Sequence, residues 1–179
     1  MNRTDLEHIV RAAADVTGDE IVVVGSQAIL GQFPFAPETL LVSLEADAYP
    51  KHDPERAIEI DGALGDGSPF HETFGYFAHG VGPETVHAPA GWEERLVRID
   101  VPPRAGKTEM VTGWCLQAHD LVLSKLAVGR EKDLMFAEVA LHDGLVHTDE
   151  LRIRVELMSD HDREQTSLRL EGVVAKLRS

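Results

Sequence analysis

Two carboxylates separated by one residue give the clearest chemical signal in this chain of 179 residues. Glu45 and Asp47 lie in the run 40–48, LLVSLEADA, where Ser43, Glu45 and Asp47 alternate with apolar residues. Alternate side chains of a β-strand share one face, so the run predicts a strand that presents both carboxylates side by side. Two such carboxylates can bind one divalent metal ion. The competing interpretation is the solvated face of an edge strand, where alternating acids also occur.

A glycine-serine turn precedes the acidic run. Residues 20–24, EIVVV, form a short apolar run that ends at Gly25 and Ser26 and is followed by QAIL. This pattern predicts a buried strand, a tight turn and a short helix over residues 26–32. The backbone N–H groups at such a turn and helix start can bind phosphate. Glycine before a serine N-cap is also an ordinary way for a chain to pass from strand to helix.

The order of these features resembles the signature of the DNA polymerase β-type nucleotidyltransferase superfamily. Within it, the chain resembles the minimal nucleotidyltransferases related to AbiEii and MenT-type toxins. The resemblance implies that Glu45 and Asp47 hold Mg²⁺ or Mn²⁺ and that an NTP is the substrate. It also implies nucleotide contacts from Gly25, Ser26 and Ser43. The usual acid pair of the superfamily is Asp-x-Asp, so Glu45 departs from the pattern.

The stretch 120–133, DLVLSKLAVGREKD, carries a second group of candidate residues. Lys125 and Asp133 share one helical face if Gly129 does not interrupt the helix. From the residues alone, the lysine could extend to solvent and the charges could form local ion pairs. The stretch also resembles the Lys…Arg-x-Lys-Asp element of the AbiEii and MenT-like relatives. That resemblance implies that Lys125 and Arg130 bind the triphosphate and that Asp133 completes the catalytic group.

Three further residue types define what else the chain can bind. A third metal carboxylate is usual in the larger superfamily, and Asp100 is the candidate, although strand alternation could equally direct it to solvent. The nine histidines are scattered without a pair at helical ligand spacing, so we expect no zinc site. The single cysteine, Cys115, cannot form an internal disulfide and is expected to be a packed thiol.

Composition restricts the partners and the cellular setting. The formal net charge of −14 repels nucleic acid at long range and would suit a basic protein partner. Apolar runs stay well below the roughly 20 residues of a membrane span. The charged N-terminus has none of the apolar centre of a signal peptide. We therefore expect a cytoplasmic protein without a membrane partner, in agreement with its lone cysteine.

The remaining periodicity predicts the elements that position these residues. We expect one domain over 1–179, with an α/β nucleotidyltransferase core over 1–116 and a helical C-terminal cap over 117–179. The core should contain a mixed β-sheet of about five strands flanked by helices. We expect a helix over 4–17 capped by Thr4, a helix from Pro54 and a glycine-rich loop over 65–71. Further extended segments are predicted over 76–79, 85–87, 96–101 and 109–115, and four helices follow residue 119.

The resemblance implies a metal-dependent nucleotidyltransferase that moves an NMP from an NTP to an acceptor hydroxyl. The resemblance implies the tRNA 3′ end or a protein side chain as acceptor, and a toxin role with a cognate antitoxin. One alternative is a degenerate nucleotidyltransferase fold that acts as a nucleotide-binding or protein-interaction module, which the longer side chain of Glu45 would allow. The other alternative is an antitoxin-like or structural partner of a basic protein, which the acidity suggests.

Overall fold

The computed structural model describes residues 1–178, and within them five strands form one mixed sheet. The strands are β1 (Ile21–Val24), β2 (Glu45–Pro50), β3 (Phe77–Gly80), β4 (Val97–Val101) and β5 (Val111–Cys115). Their order across the sheet is β3-β2-β1-β5-β4. β1 is antiparallel to β2 and parallel to β5, β2 is parallel to β3, and β4 is antiparallel to β5. The predicted α/β fold with a mixed sheet, flanking helices and a helical C-terminal part is confirmed.

The helices account for most of the remaining chain. They are α1 (Arg3–Thr17), α2 (Ala57–Leu64), α3 (Pro69–Phe74), α4 (Ala118–Val128), α5 (Glu131–His142), α6 (Thr148–Val155) and α7 (Asp160–Leu177). Short 3₁₀ helices cover Ser26–Gly31, Glu38–Leu40, Pro54–Arg56, Pro83–Thr85 and Trp92–Arg95. Within residues 1–178, none of these helices combines the length and the apolar character that crossing a membrane requires.

Contacts along the chain group it into two units. The first unit comprises Met1–Thr85 and Leu96–Leu116, and therefore contains the whole sheet with α1, α2 and α3. The second unit comprises Val86–Arg95 and the chain from Gln117 onward, where α4 packs against α5, α6 and α7. The single-domain organisation stays a prediction.

The centre of the first unit follows from apolar patterning. All four residues of β1, IVVV, are buried, as expected for a strand that has neighbours on both sides and cover on both faces. α1 buries apolar residues at helical spacing, namely Leu6, Ile9, Val10 and Ala13. Cys115 ends β5 fully buried, and burial raises the pKa of its thiol to about 12. The prediction of a packed, unreactive thiol is confirmed.

Several local predictions are wrong, each because a side chain caps or turns the backbone. The cap of α1 is Asn2 and not Thr4, since the Asn2 side chain and that of Asp5 satisfy each other's backbone N–H groups. Residues 65–71 are not all loop, because Ser68 accepts from the N–H of His71 and starts α3. Segment 85–87 is not a strand, because Thr85 is the last residue of the 3₁₀ helix Pro83–Thr85 and its hydroxyl donates to the Gly82 carbonyl.

The acidic strand also starts later than predicted. Residues 40–44 lie outside β2, which begins at Glu45. The Ser43 hydroxyl lies 3.1 Å from the backbone nitrogen of Glu45 and accepts its hydrogen. Such a serine turn competes with strand pairing, so the chain enters the sheet only after it.

Candidate functional site

Strand pairing places Asp47 in the middle of the candidate site. Val24, the last residue of β1, is the register partner of Asp47 on β2. On the other side of β2, Asp47 pairs with His79 of β3. Glu45 lies two residues earlier on β2 and therefore on the same face as Asp47. The two acids thus lie side by side, between the end of β1 and the edge strand β3.

The Gly25 turn contacts Asp47 directly. Gly25 has φ 66° and ψ −168°, a conformation that is essentially restricted to glycine. A Cβ atom added at Gly25 would lie 2.0 Å from the Asp47 Oδ2 atom. Only a residue without a side chain therefore lets the carboxylate approach the turn. This contact joins two motifs that the sequence analysis treated separately.

The electrostatics of the pair oppose its ionisation. The pKa of Asp47 is raised to about 6, chiefly by burial and then by the hydrogen bond and charge of the neighbouring Glu45 carboxyl, while His79 acts in the opposite direction. When two carboxylates in contact at a partly buried position are both ionised, their repulsion raises the free energy of the folded chain. A bound cation would remove this cost, which is typical of acid pairs that hold metal ions.

His79 is the site residue that the sequence analysis missed. Its Nδ1 atom lies 3.1 Å from Glu45 Oε1 and 3.4 Å from Asp47 Oδ1. One ligand atom from each of the three side chains lies within 4.8 Å of the other two, so the group has the spacing of a metal site. The sequence did place His79 in an extended segment. The parallel pairing of β2 with β3, which is a non-local contact, was the missing information.

The donor chemistry of this group fits a divalent cation. Carboxylate oxygens are the ligands preferred by Mg²⁺ and Mn²⁺, and imidazole is accepted by Mn²⁺ and later transition metals. The side chains of Asp47 and His79 are 32% and 52% exposed, so an ion can reach them from solvent. Gly25 itself places no side chain against Asp47 Oδ2.

Ser43 and Ser26 lie at the borders of this site. The Ser43 hydroxyl forms hydrogen bonds with the backbone of Glu45. The backbone carbonyl of Ser43 accepts a hydrogen bond from the Nε2 atom of the fully buried Gln27 at 3.0 Å. These bonds fix the start of β2 against the turn. Ser26 opens a six-residue 3₁₀ helix, so the helix dipole is weaker than the predicted α-helical start implied. The nucleotide contacts of both serines stay predictions.

The second group of candidates forms an ion cluster inside the second unit. Gly129, with φ 71°, ends α4, so the condition for one shared helical face is not met and Lys125 and Asp133 lie on two successive helices. The turn nevertheless brings Lys125 Nζ to 3.3 Å from Asp133 Oδ1, and Arg130 Nε to 2.7 Å from Asp133 Oδ2. The Asp133 side chain is fully buried, whereas that of Lys125 is 11% exposed.

The two cations determine the charge state of this cluster. Burial alone would raise the pKa of Asp133, but the hydrogen bond from Arg130 and the charge of Lys125 hold it below the usual range. Burial lowers the pKa of Lys125, and Asp133 opposes that shift. Lys125, Arg130 and Asp133 are therefore brought together as one ion-paired group.

Asp100 is not brought to the acid pair. It lies on β4, and β1 and β5 separate that strand from β2. Three strand spacings of about 4.8 Å amount to roughly 14 Å across the sheet. The Asp100 carboxylate is half exposed and lies 2.9 Å from an Arg98 guanidinium nitrogen. The position beside Glu45 and Asp47 that a third carboxylate was expected to fill is instead taken by His79.

The chain matches a protein family over most of its length. A family model described as "Nucleotidyltransferase of unknown function (DUF6036)" matches residues 4–169. No curated protein and no solved structure matches the chain. The family match spans β1, the Gly25 turn, the acid pair and the ion cluster. The chain therefore belongs to this family of nucleotidyltransferases.

Proposed function

We propose that this nucleotidyltransferase moves an NMP from an NTP to an acceptor hydroxyl, with a divalent ion held by Glu45 and Asp47. The observation that carries the proposal is the contact of the two carboxylates with each other and with the Gly25 turn. Two like charges placed together destabilise the folded chain, so the arrangement has no structural benefit of its own. Binding a cation and the phosphates it carries gives the pair a function.

In the transfer, the acceptor oxygen attacks the α-phosphorus, the bond from the α-phosphorus to the bridging oxygen breaks, and pyrophosphate leaves. The protein contributes mainly positioning and charge neutralisation. A Mg²⁺ or Mn²⁺ ion bound there would neutralise charge on the NTP phosphates and lower the pKa of an attacking hydroxyl. Glu45 and Asp47 supply the oxygen ligands and fix where the α-phosphate lies. The turn at Gly25 and Ser26 has no bulky side chain at its first residue, so phosphate oxygens can approach its backbone N–H groups. Ser43 holds the start of the acidic strand in place.

The second unit contains two cationic side chains that are candidates for binding the triphosphate, Lys125 and Arg130. Lys125 and Arg130 share one carboxylate, Asp133, so the three side chains together carry a charge of +1. The resemblance to AbiEii and MenT-like enzymes suggests that these two cations bind the triphosphate. In that role, Asp133 acts as a positioning residue that fixes the Lys125 ammonium group and the turn after α4.

Two classes of acceptor hydroxyl suit this transfer, one on RNA and one on protein. The resemblance to toxin enzymes suggests the tRNA 3′ end, and a cognate antitoxin would then be the protein partner. A protein hydroxyl is the other acceptor class. The net charge of −14 disfavours long-range attraction of RNA, so an RNA acceptor requires local contacts with basic side chains.

The direct test is label transfer from nucleotides. Purified protein is incubated with each α-³²P NTP and either Mg²⁺ or Mn²⁺, in parallel reactions with total RNA, with purified tRNA and with no added acceptor. We expect one acceptor class to be labelled, and self-labelling would be visible in the reaction without acceptor. Asp47→Asn should reduce transfer by about a hundredfold or more, since it removes one metal ligand while preserving shape. Asp100→Asn, which removes an exposed acid of the same sheet, should leave transfer unchanged.

Two results would contradict this proposal. Full transfer by Asp47→Asn would show that the acid pair is not the site. No transfer to any acceptor, combined with metal-dependent thermal stabilisation by NTP, would instead favour the nucleotide-binding module.

A further inference from the structure

The position of His79 relative to the acid pair matches the spacing of ligands around one ion. Its Nδ1 atom lies 3.1 Å from Glu45 Oε1 and 3.4 Å from Asp47 Oδ1. Neighbouring ligands of an octahedral ion bonded at about 2.1 Å lie roughly 3 Å apart. A single ion could therefore be bound by all three atoms with small side-chain adjustments.

The fold gives His79 this position without help from flexible loops. β2 and β3 are parallel and in register, with Asp47 opposite His79, so both side chains project from the same face of the sheet. Gly25 contacts the opposite side of the Asp47 carboxylate, where no side chain can fit. Asp47 thus lies between the Gly25 turn, which has no side chain, and the His79 imidazole. Asp100, the third carboxylate expected from the sequence, lies on the distant strand β4.

We propose that His79 is the third protein ligand of the metal bound by Glu45 and Asp47, and that it makes the site prefer Mn²⁺ over Mg²⁺. This inference rests on the proposed function, because the same acid pair holds the ion. Mg²⁺ demands oxygen ligands and releases its water reluctantly. Mn²⁺ accepts carboxylate and imidazole together and lies above Mg²⁺ in affinity for nitrogen ligands. The site therefore takes a transition-metal ion as its cofactor class.

The competing explanation is that His79 is only a counter-ion. A protonated imidazole would pair with the two carboxylates in the same geometry and would leave when a metal arrives. The two explanations predict opposite effects of removing the ring. Loss of a ligand weakens Mn²⁺ binding, whereas loss of a competing cation strengthens the binding of every divalent ion.

The experiment measures metal binding by the full chain without nucleotide. Isothermal titration calorimetry at pH 8 with MnCl₂ and with MgCl₂ is performed on the wild type, on His79→Phe and on His79→Gln. We expect both variants to bind Mn²⁺ at least about tenfold more weakly, since even indirect metal partners contribute about ten- to a hundredfold. Mg²⁺ affinity should change less than about threefold, because its oxygen ligands remain. The half-exposed position of His79 makes both substitutions compatible with folding.

A matched control and a spectroscopic readout exclude indirect effects. His52 pairs with Asp19 at 2.6 Å in the same unit, away from the acid pair, so His52→Gln should leave both affinities unchanged. Pulsed electron paramagnetic resonance of the Mn²⁺ complex should show modulation from a directly bonded ¹⁴N in the wild type and in His52→Gln. That modulation should disappear in both His79 variants.

The outcomes separate this inference from the proposed function. Mn²⁺ affinity that is equal or higher in the His79 variants, or a wild-type spectrum without ¹⁴N modulation, overturns the ligand role of His79. Asp47→Asn should still abolish metal binding in that case, and the proposed function then stands. If the wild type binds neither metal without nucleotide, the inference about His79 is overturned, whereas label transfer by Asp47→Asn decides the proposed function separately, since phosphates can supply the remaining ligands.

Discussion

The acid pair on β2 and the ion cluster at the turn between α4 and α5 each contain a carboxylate that is shielded from solvent. The charges next to these two carboxylates are of opposite sign. Asp47 has a second carboxylate, Glu45, as its neighbour, and its pKa is raised to about 6. Asp133 is more deeply buried, yet Lys125 and Arg130 hold its pKa below the usual range. Burial alone therefore does not decide the charge state, whereas the sign of the neighbouring charge does.

This difference indicates what each region contributes to the protein. The cluster around Asp133 satisfies its own charges and joins two helices whether or not a ligand is present, and loss of one partner would leave a buried charge unpaired. The pair of Glu45 and Asp47 destabilises the fold until a cation arrives. Regions that keep an unfavourable arrangement are candidates for function. The acid pair is therefore the better candidate for the chemistry, and the cluster the better candidate for support.

The largest expected effect comes from removing the carboxylate of the satisfied cluster. Asp133→Asn leaves the Lys125 ammonium buried without its counter-ion and weakens the capping contact with the Arg130 backbone. We expect the free energy of unfolding to fall by about 3–5 kcal/mol, as for other broken buried ion pairs. Urea denaturation at pH 7 measures the change.

A double-mutant cycle shows whether charge is the cause. Adding Lys125→Met to Asp133→Asn removes the stranded ammonium group and should restore part of the lost stability, because methionine fills similar space with apolar atoms. Two results would contradict the contrast between the compensated charges around Asp133 and the acid pair. One is a fall in the free energy of unfolding below about 1 kcal/mol for Asp133→Asn alone, and the other is additive falls in the cycle.

The second effect concerns the turn against the acid pair. Gly25→Ala places a Cβ atom 2.0 Å from Asp47 Oδ2 and forces alanine into a glycine-only conformation. We expect about 2 kcal/mol of lost stability from the backbone strain and the displaced carboxylate, together with weaker Mn²⁺ binding. Thermal unfolding and calorimetry measure the two quantities.

Gly67→Ala provides the matched control for that substitution. Gly67 also has a positive φ, 72°, but a Cβ atom there would meet nothing within 4 Å. Its variant should lose only about 1 kcal/mol from backbone strain and should bind metal normally. Equal effects of Gly25→Ala and Gly67→Ala on metal binding would show that the turn does not shape the site.

Much of the first unit could be predicted because its signals are local. β1 is recognised from a short continuous apolar run, and the x-acid-x-acid alternation of β2 depends only on the period of a strand. The Gly25 turn follows directly from the end of β1. The four C-terminal helices likewise follow from apolar spacing and glycine stops, so α4 to α7 lie close to their predicted positions.

The missed features depend on contacts between distant parts of the chain. His79 and Asp100 both lie on predicted strands, and only the strand order decides that β3 is the neighbour of β2 and that β4 is remote. The late start of β2 depends on a competing hydrogen bond of Ser43, which strand periodicity does not reveal. Neither strand order nor side-chain capping can be derived from periodicity alone.

The smallest effect tests whether the acid pair is as unfavourable as its geometry indicates. Asp47 has a raised pKa of about 6 in the folded chain, against 3.8 as its ordinary value. Its stabilising contribution as a neutral acid is therefore complete below pH 3.8 and is lost as the pH rises through about 6.

Asp47→Asn mimics the neutral acid, so in EDTA it should match the wild type at pH 4 and exceed its stability at pH 8. We expect a gain of about 1 kcal/mol at pH 8, because solvent reaches about a third of the side chain and weakens the full shift. Urea denaturation at both pH values measures it, and Asp100→Asn, which loses an exposed ion pair, should show no such gain. If Asp47→Asn were no more stable than the wild type at pH 8, the two carboxylates would already be compensated within the chain, and the contrast with Asp133 would fail.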